Sequence, residues 1–383
     1  MKKQTFLFLF LSLFFSVFGQ NIQTEKNRKL VVTYLGQQGD PLSDNNYNAK
    51  ALSNNSAVVT FEQGKGVYAL DQWNDRYKTS VKIRQEYDKL ADDYYASWKF
   101  LPVGGSDKVV ARVEIAKGNP ADIDPGKIIF STPQGTRFDT KLLGNNEFEL
   151  TVAAGQDKDV QEVFALYPKN GSSSSYLTLG KLNVVTYQKQ TNKLVVVQVG
   201  TTVNGDALEK GLNAIYNPVG VEWQVVTDEF SYKGDISTLI DEKSGMLEAY
   251  NDQMNALISA YKADNNIDSK TSYIFLLKEN KSKNGRNVQA FMPRGKQFGF
   301  VFSGGLSSDK LSQVVAHELG HGRWRLQHIF DNTYGYDEKN DWGKIPENLM
   351  DYADGTQLAK WQWEQLNDPA WFTNPFDGDE SGM

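Results

Sequence analysis

The chain has 383 residues and three histidines, and all three fall within twelve consecutive positions: His317-Glu318-Leu319-Gly320-His321, then His328. That grouping restricts the local fold severely. For His317 and His321 to reach one point they must lie on a helix, where residues four apart project from the same face. Both imidazoles can then bind one metal ion. Glu318, one residue round, is placed to take a proton from a water that the metal activates. His328 can join them only if the chain turns back after His321, and Gly322 supplies a flexible point for that turn. The spacing therefore predicts a three-histidine shell with Glu318 as its general base.

The start of the chain reads as an export signal. Lys2 and Lys3 precede the apolar run Phe6 to Phe18, and Gly19 and the polar pair Gln20-Asn21 follow. This is the pattern of a secretory signal peptide cleaved after Gly19. The run is too short to cross a bilayer core of about 30 Å as a helix, and no other segment is long and apolar enough, so membrane insertion is not expected. A secreted or extracellular location follows, with the periplasm or cell surface as the alternative. The chain has no cysteine, which removes both a lipid-modified tether and disulfide bracing. A formal charge of −6 without a basic cluster argues against nucleic acid and anionic membranes as partners.

Two patterns divide the remainder. Short alternating or apolar runs recur at Val58 to Phe61, Gly66 to Leu70, Val109 to Ile115, Lys127 to Ser131, Glu147 to Val152, Val163 to Tyr167 and Lys181 to Tyr187. Separated by turn signals, they predict an antiparallel β-sandwich; the stretch Val81 to Trp98 is ambiguous. The polar stretch Gln188 to Lys193 reads as a linker between independently folding units. Beyond it, strands at Leu194 to Val199, Val221 to Val226 and Tyr273 to Leu277 alternate with helices at Asp206 to Tyr216 and Met246 to Tyr261. A hairpin of Asn287 to Met292 with Phe298 to Phe302 follows. The histidine helix then begins near Ser308 or Asp309, either of which can cap it. That order predicts a mixed α/β domain, and an α+β fold for the whole chain.

Three neutral imidazoles with one open position are the pattern of a catalytic zinc site, and no cysteine exists to close it. An iron triad would need a carboxylate ligand, whereas Glu318 points elsewhere on the helix. Zinc would polarise a carbonyl, and Glu318 would accept the proton of the attacking water and pass it to the leaving amine.

At this point the chain resembles a known family. His317 through His328, together with Asn348-Leu349-Met350-Asp351-Tyr352, looks like a metzincin-type zinc peptidase. The resemblance implies a tight turn whose methionine, Met350, lies beneath the metal. Residues Asn348 to Tyr352 are especially similar to the corresponding turn of pappalysins. Tyr352 stands at the offset where astacins and serralysins carry a tyrosine that reaches toward the metal or the reaction intermediate. The family's third ligand lies six residues after the second histidine, where this chain has Gln327; His328 follows one later, giving HExxHxxxxxxH. The usual turn glycine is replaced by Trp324. Both departures are those of a one-residue insertion.

The resemblance covers roughly the last 190 residues. It covers none of the first half; together with the patterns above it gives residues 1–19 as signal peptide, 20–190 as a β-rich accessory or pro-domain, and 191–383 as a zincin catalytic domain. The function it implies is that of a secreted zinc metalloendopeptidase acting on protein or peptide substrates, which would lie along the edge strand Asn287 to Met292 by strand addition. The sites are Glu318 and Tyr352 as catalytic residues and His317, His321 and His328 as ligands of one zinc. Two alternatives differ in class: a toxin-like effector metallopeptidase, and a non-catalytic binding protein with a degenerate zincin domain. Intact Glu318 counts against the latter, since a binding module needs no general base. The acidic loop Asp331 to Asp341 offers oxygen ligands for calcium but lacks regular EF-hand spacing. Trp361, Trp363 and Trp371 read as core or docking aromatics. The alternative for Tyr352 is a buried structural tyrosine.

Overall fold

The computed structural model describes residues 57–91, 93–115, 123–144, 146–168, 176–236, 239, 250–278, 288–330 and 345–367. The signal-peptide segment, Met246, Leu247, Asn287, the acidic loop from Asp331 to Asp341 and Trp371 lie outside the described residues. The fold is mixed α+β, with two antiparallel sheets, one of them only two-stranded, and two mixed ones among the described residues.

The first half consists of β1 (Ala57–Glu62), β2 (Leu70–Asp71), the short helix α1 (Val81–Arg84), β3 (Lys89–Ala91), β4 (Tyr94–Tyr95) and β5 (Ser97–Pro102). It continues through β6 (Ser106–Ile115), β7 (Ile129–Ser131), β8 (Thr140–Gly144), β9 (Glu147–Ala153), β10 (Val160–Pro168) and β11 (Tyr176–Tyr187). Besides the small β3-β4 pair, the strands form two sheets, in the orders β1-β6-β9-β8 and β2-β5-β11-β10-β7. Inward positions of both, among them Val59, Phe61, Val109, Leu150, Val163 and Leu182, share one apolar cluster. The first sheet is antiparallel throughout, and β1 and β6 alternate buried residues with half-buried or exposed ones. In the second, β11 runs parallel to β5, with Leu182 opposite Ser97, so the expectation of purely antiparallel pairing is corrected there. Parallel strands need a long crossover, and the chain between β5 and β11 supplies it by building most of the other sheet. The expected strand at Gly66 to Leu70 reduces to Leu70–Asp71.

The second half begins with β12 (Gln190–Val199), α2 (Gly205–Tyr216), β13 (Val221–Glu229), α3 (Asp252–Asp264) and β14 (Ser272–Leu277). The hairpin strands β15 (Ala290–Phe291) and β16 (Phe298–Phe302) follow, then the helices α4 (Ser308–Trp324) and α5 (Lys360–Asn367). Its sheet has the order β13-β12-β14-β16-β15, with β15 an antiparallel edge on four parallel strands. The continuous apolar runs of β14 and β16 are buried along their whole length, because helices cover both faces. On one face Phe275, Phe298 and Phe300 meet Met254, Leu257 and Tyr261 of α3. On the other, Val196, Ile274 and Val301 meet Leu212 of α2 and Val315 and Leu319 of α4.

The stretch expected as a linker is strand from Gln190 onward, paired in parallel with β13 from Val221. The apolar pattern hid this because the inward-facing Asn192 is polar yet buried, while Thr191 and Lys193 face out. One core cluster runs across that point: Tyr77, Trp98, Phe100 and Tyr187 pack with Val219, Trp361 and Trp363. Among the described residues, no helix is long and apolar enough to cross a membrane.

Candidate metal centre

Helix α4 carries the first two histidines. Its N-cap is Ser307, one residue before the expected pair, with Ser307 Oγ accepting the Lys310 N–H at 3.2 Å. From Leu311 to Gly322 every residue of the helix is buried, since it packs against the sheet on one side and the 345–367 segment on another.

The turn after His321 differs from expectation. Gly322 is helical, and its absent side chain makes room for a neighbour: a Cβ there would lie 2.1 Å from Met292 Cε and 2.9 Å from the Lys296 carbonyl. The reversal falls at Arg325, which takes the left-handed conformation at φ 58°. Its N–H donates to the His321 carbonyl at 3.0 Å, and the Leu326 N–H donates to the Gly320 carbonyl at 3.0 Å. This double closure is how helices commonly end, although glycine is the usual residue at the left-handed position. The turn delivers His328 to the other two histidines.

The three Nε2 atoms converge. His317 and His321 are 3.1 Å apart, His321 and His328 3.1 Å, and His317 and His328 3.3 Å. His317 Nδ1–H donates to the Leu349 carbonyl at 2.7 Å and His321 Nδ1–H to the Leu326 carbonyl at 2.6 Å. Both Nδ1 atoms therefore hold the ring proton, and both Nε2 lone pairs face the shared centre. Lone pairs crowded together without protons between them call for a cation. Tetrahedral ligands at 2.0–2.1 Å from a metal lie about 3.3 Å from one another, close to the spacing observed. The group is buried and could hold a metal ion. Burial pushes the His317 imidazole down to about 4 and the other two well below the ordinary histidine value. All three are thus neutral at pH 7, the form that ligates.

Glu318 lies beside this centre, 7% exposed. Burial pushes its carboxyl up to about 8, and the Met292 N–H it accepts opposes the shift. A divalent cation at the histidines would oppose it further. Met292 directly follows the edge strand β15, so the carboxylate sits between the histidines and that edge.

The turn at Asn348 to Tyr352 underlies the site. Met350 is fully buried, and a Cβ on Gly320 would lie 2.8 Å from its sulfur, so the methionine packs against the helix between the two histidines. Tyr352 is 70% exposed, which corrects the reading of it as a buried structural residue. Its ring centroid lies 4.7 Å from that of His328, 4.9 Å from Phe330 and 6.2 Å from His317. The side chain hangs over the mouth of the histidine pocket because Asp351, just before it, points inward. There Asp351 accepts the Ile345 N–H at 2.6 Å. Trp361 and Trp363 are core residues.

Sequence reading missed the carbonyls of Leu349 and Leu326, the Met292 N–H beside Glu318, and Phe330, stacked on His328 at 5.0 Å. Backbone partners leave no residue-type signal. Phe330 alone was open to detection, as an aromatic two residues past a ligand.

No known protein family matches the chain, and no curated protein matches it. Twelve solved chains resemble it in structure. One of them, described as "Structure of a chaperone-substrate complex", superposes with a TM-score of 0.29 at 13% identity. The superposition covers 61% of this chain and 39% of that one, so this chain spans well under half of its length. A likeness at that level carries no argument about fold or function.

Proposed function

We propose that the chain is a secreted zinc-dependent endopeptidase, with a metzincin-like catalytic domain in residues 191–383 and a β-rich accessory domain before it. The observation that carries the reading is the meeting of three neutral imidazoles, within 3.3 Å of one another, with a buried carboxylate on the same helix. Three nitrogen donors without a cysteine or a carboxylate in the shell favour zinc with an open position. The left-handed residue and the third histidine are both displaced by one position relative to the metzincin pattern. One inserted residue at the end of α4 accounts for both.

His317, His321 and His328 would hold a zinc ion, which would supply a Lewis acid and lower the pKa of an attacking water to about 7. Glu318 takes that water's proton as it attacks the peptide carbonyl carbon, then delivers it to the leaving nitrogen. The edge strand β15 binds the substrate backbone by strand addition, which sets the scissile bond beside Glu318. Export rests on the pattern of Lys2 to Asn21. The test is hydrolysis of a denatured protein with and without a chelator. Chelator-sensitive cleavage restored by zinc is expected, and no cleavage by the zinc-loaded chain would overturn the reading.

Tyr352, its ring 4.7 Å from that of His328, would donate its phenolic hydrogen to the oxyanion that develops on the substrate. Exposure weakens such a donor, so Tyr352→Phe is expected to lower kcat about 10- to 100-fold with little change in KM. Zinc content and melting temperature should hold. An unchanged kcat would leave Tyr352 as a cover for Phe330 and His328.

A further inference from the structure

Helix α5 is bonded on one side to the first half of the chain, at Asp71, and on the other to the turn beneath the histidines, at Asn348. On the near side stands Gln362, fully buried. Its Oε1 accepts the Asn348 Nδ2–H at 2.8 Å and the Ala359 N–H at 2.8 Å, and its Nε2–H donates to Asn348 Oδ1 at 3.1 Å. Asn348 Oδ1 also accepts the Met350 N–H at 2.9 Å. The turn held this way supplies the Leu349 carbonyl that fixes the His317 ring, and the Met350 carbonyl accepts the Ile329 N–H next to His328 at 3.3 Å. Two of the three ligands therefore take their orientation from a turn locked by Gln362. His321 does not, because its partner is Leu326 at the end of its own helix.

On its far side α5 is anchored by the first half. Asp71 Oδ2 accepts the Lys360 N–H at 2.7 Å, and the Lys360 ammonium pairs with Glu86. Trp361 stands edge-on to Tyr77 at 5.2 Å, and Trp363 edge-on to Phe100 at 6.0 Å. Asn74 also donates to Glu347, beside the turn, at 3.0 Å.

We propose that residues 57–187 are a permanent brace of the metal centre, not a removable segment, and that Gln362 is the positioning residue through which they act on His317 and His328. The inference rests on the metal-binding part of the proposed function. Outer groups that orient a ligating histidine are worth about 10- to 100-fold in metal affinity.

The chain's three histidines make the test direct. In the full-length protein labelled with ¹⁵N-histidine, each imidazole gives its own signals, and zinc affinity is measured by competition with a chromogenic chelator. Gln362→Leu should weaken zinc binding about 10- to 100-fold and perturb the metal-free His317 ring signals while leaving His321 in place. Asp71→Ala, at the far end, should act in the same direction by a smaller factor. If Gln362→Leu does not fold, Gln362→Glu carries the measurement, since it keeps the acceptor for Ala359 and replaces the amide donor to Asn348 by a carboxylate oxygen. Folded variants with wild-type affinity, or with all three imidazoles perturbed alike, would overturn the brace. A wild-type chain that binds no divalent metal would instead overturn the metal reading itself.

Discussion

Glu318→Gln is expected to abolish most peptide hydrolysis, by about 100- to 10,000-fold in kcat, while zinc content and fold stay as they were. The amide has nearly the shape of the carboxylate and can still accept the Met292 N–H. It cannot take a proton from water. Because the group is buried, no solvent carboxylate can substitute for it. Steady-state kinetics with metal analysis on the same sample checks the expectation. Near-normal turnover would mean that another base does the work and that the proposed mechanism is misassigned.

His328→Ala acts on the metal instead of the proton. Removing one of three converging nitrogens is expected to weaken zinc binding by at least about 100-fold, more than an outer-shell change costs. The other two rings keep their carbonyl partners, Leu349 and Leu326, so the site loses a ligand without losing its geometry. Phe330, which stacks on His328, would be left beside a cavity, and a small drop in melting temperature should accompany the loss. Full metal content after dialysis would remove His328 from the shell.

Much of the candidate site is legible in the sequence. Residues four apart on a helix share a face, so His317, Glu318 and His321 could be placed from spacing alone. Met350 followed from the resemblance of its turn. The mechanism of the return to His328 was misplaced because glycine signals freedom in a sequence whether it is used for a turn or for close packing. Here Gly322 admits Met292, and an arginine makes the turn. The apolar strands of the second half were legible because burial on both faces leaves no polar interruption. The polar opening of β12, from Gln190 to Lys193, was not, since ladder hydrogen bonds belong to the backbone and are indifferent to polar side chains. The parallel pairing of β5 with β11 was beyond reach because local pattern carries no information on which distant strand becomes a neighbour.

The bond from Lys360 to Asp71 joins residues 289 positions apart, and this separation sets the order of events during folding. Contacts that close such long loops form late and slow the search for the native state. Helix α5 follows every other described element in the chain, so it can dock only after the strands and helices that it joins have been made. Until then the turn beneath the histidines has no lock, and the ligand cage stays incomplete. Assembly of the three-histidine group is thus coupled to the docking of the two halves of the chain, one of the last contacts to form.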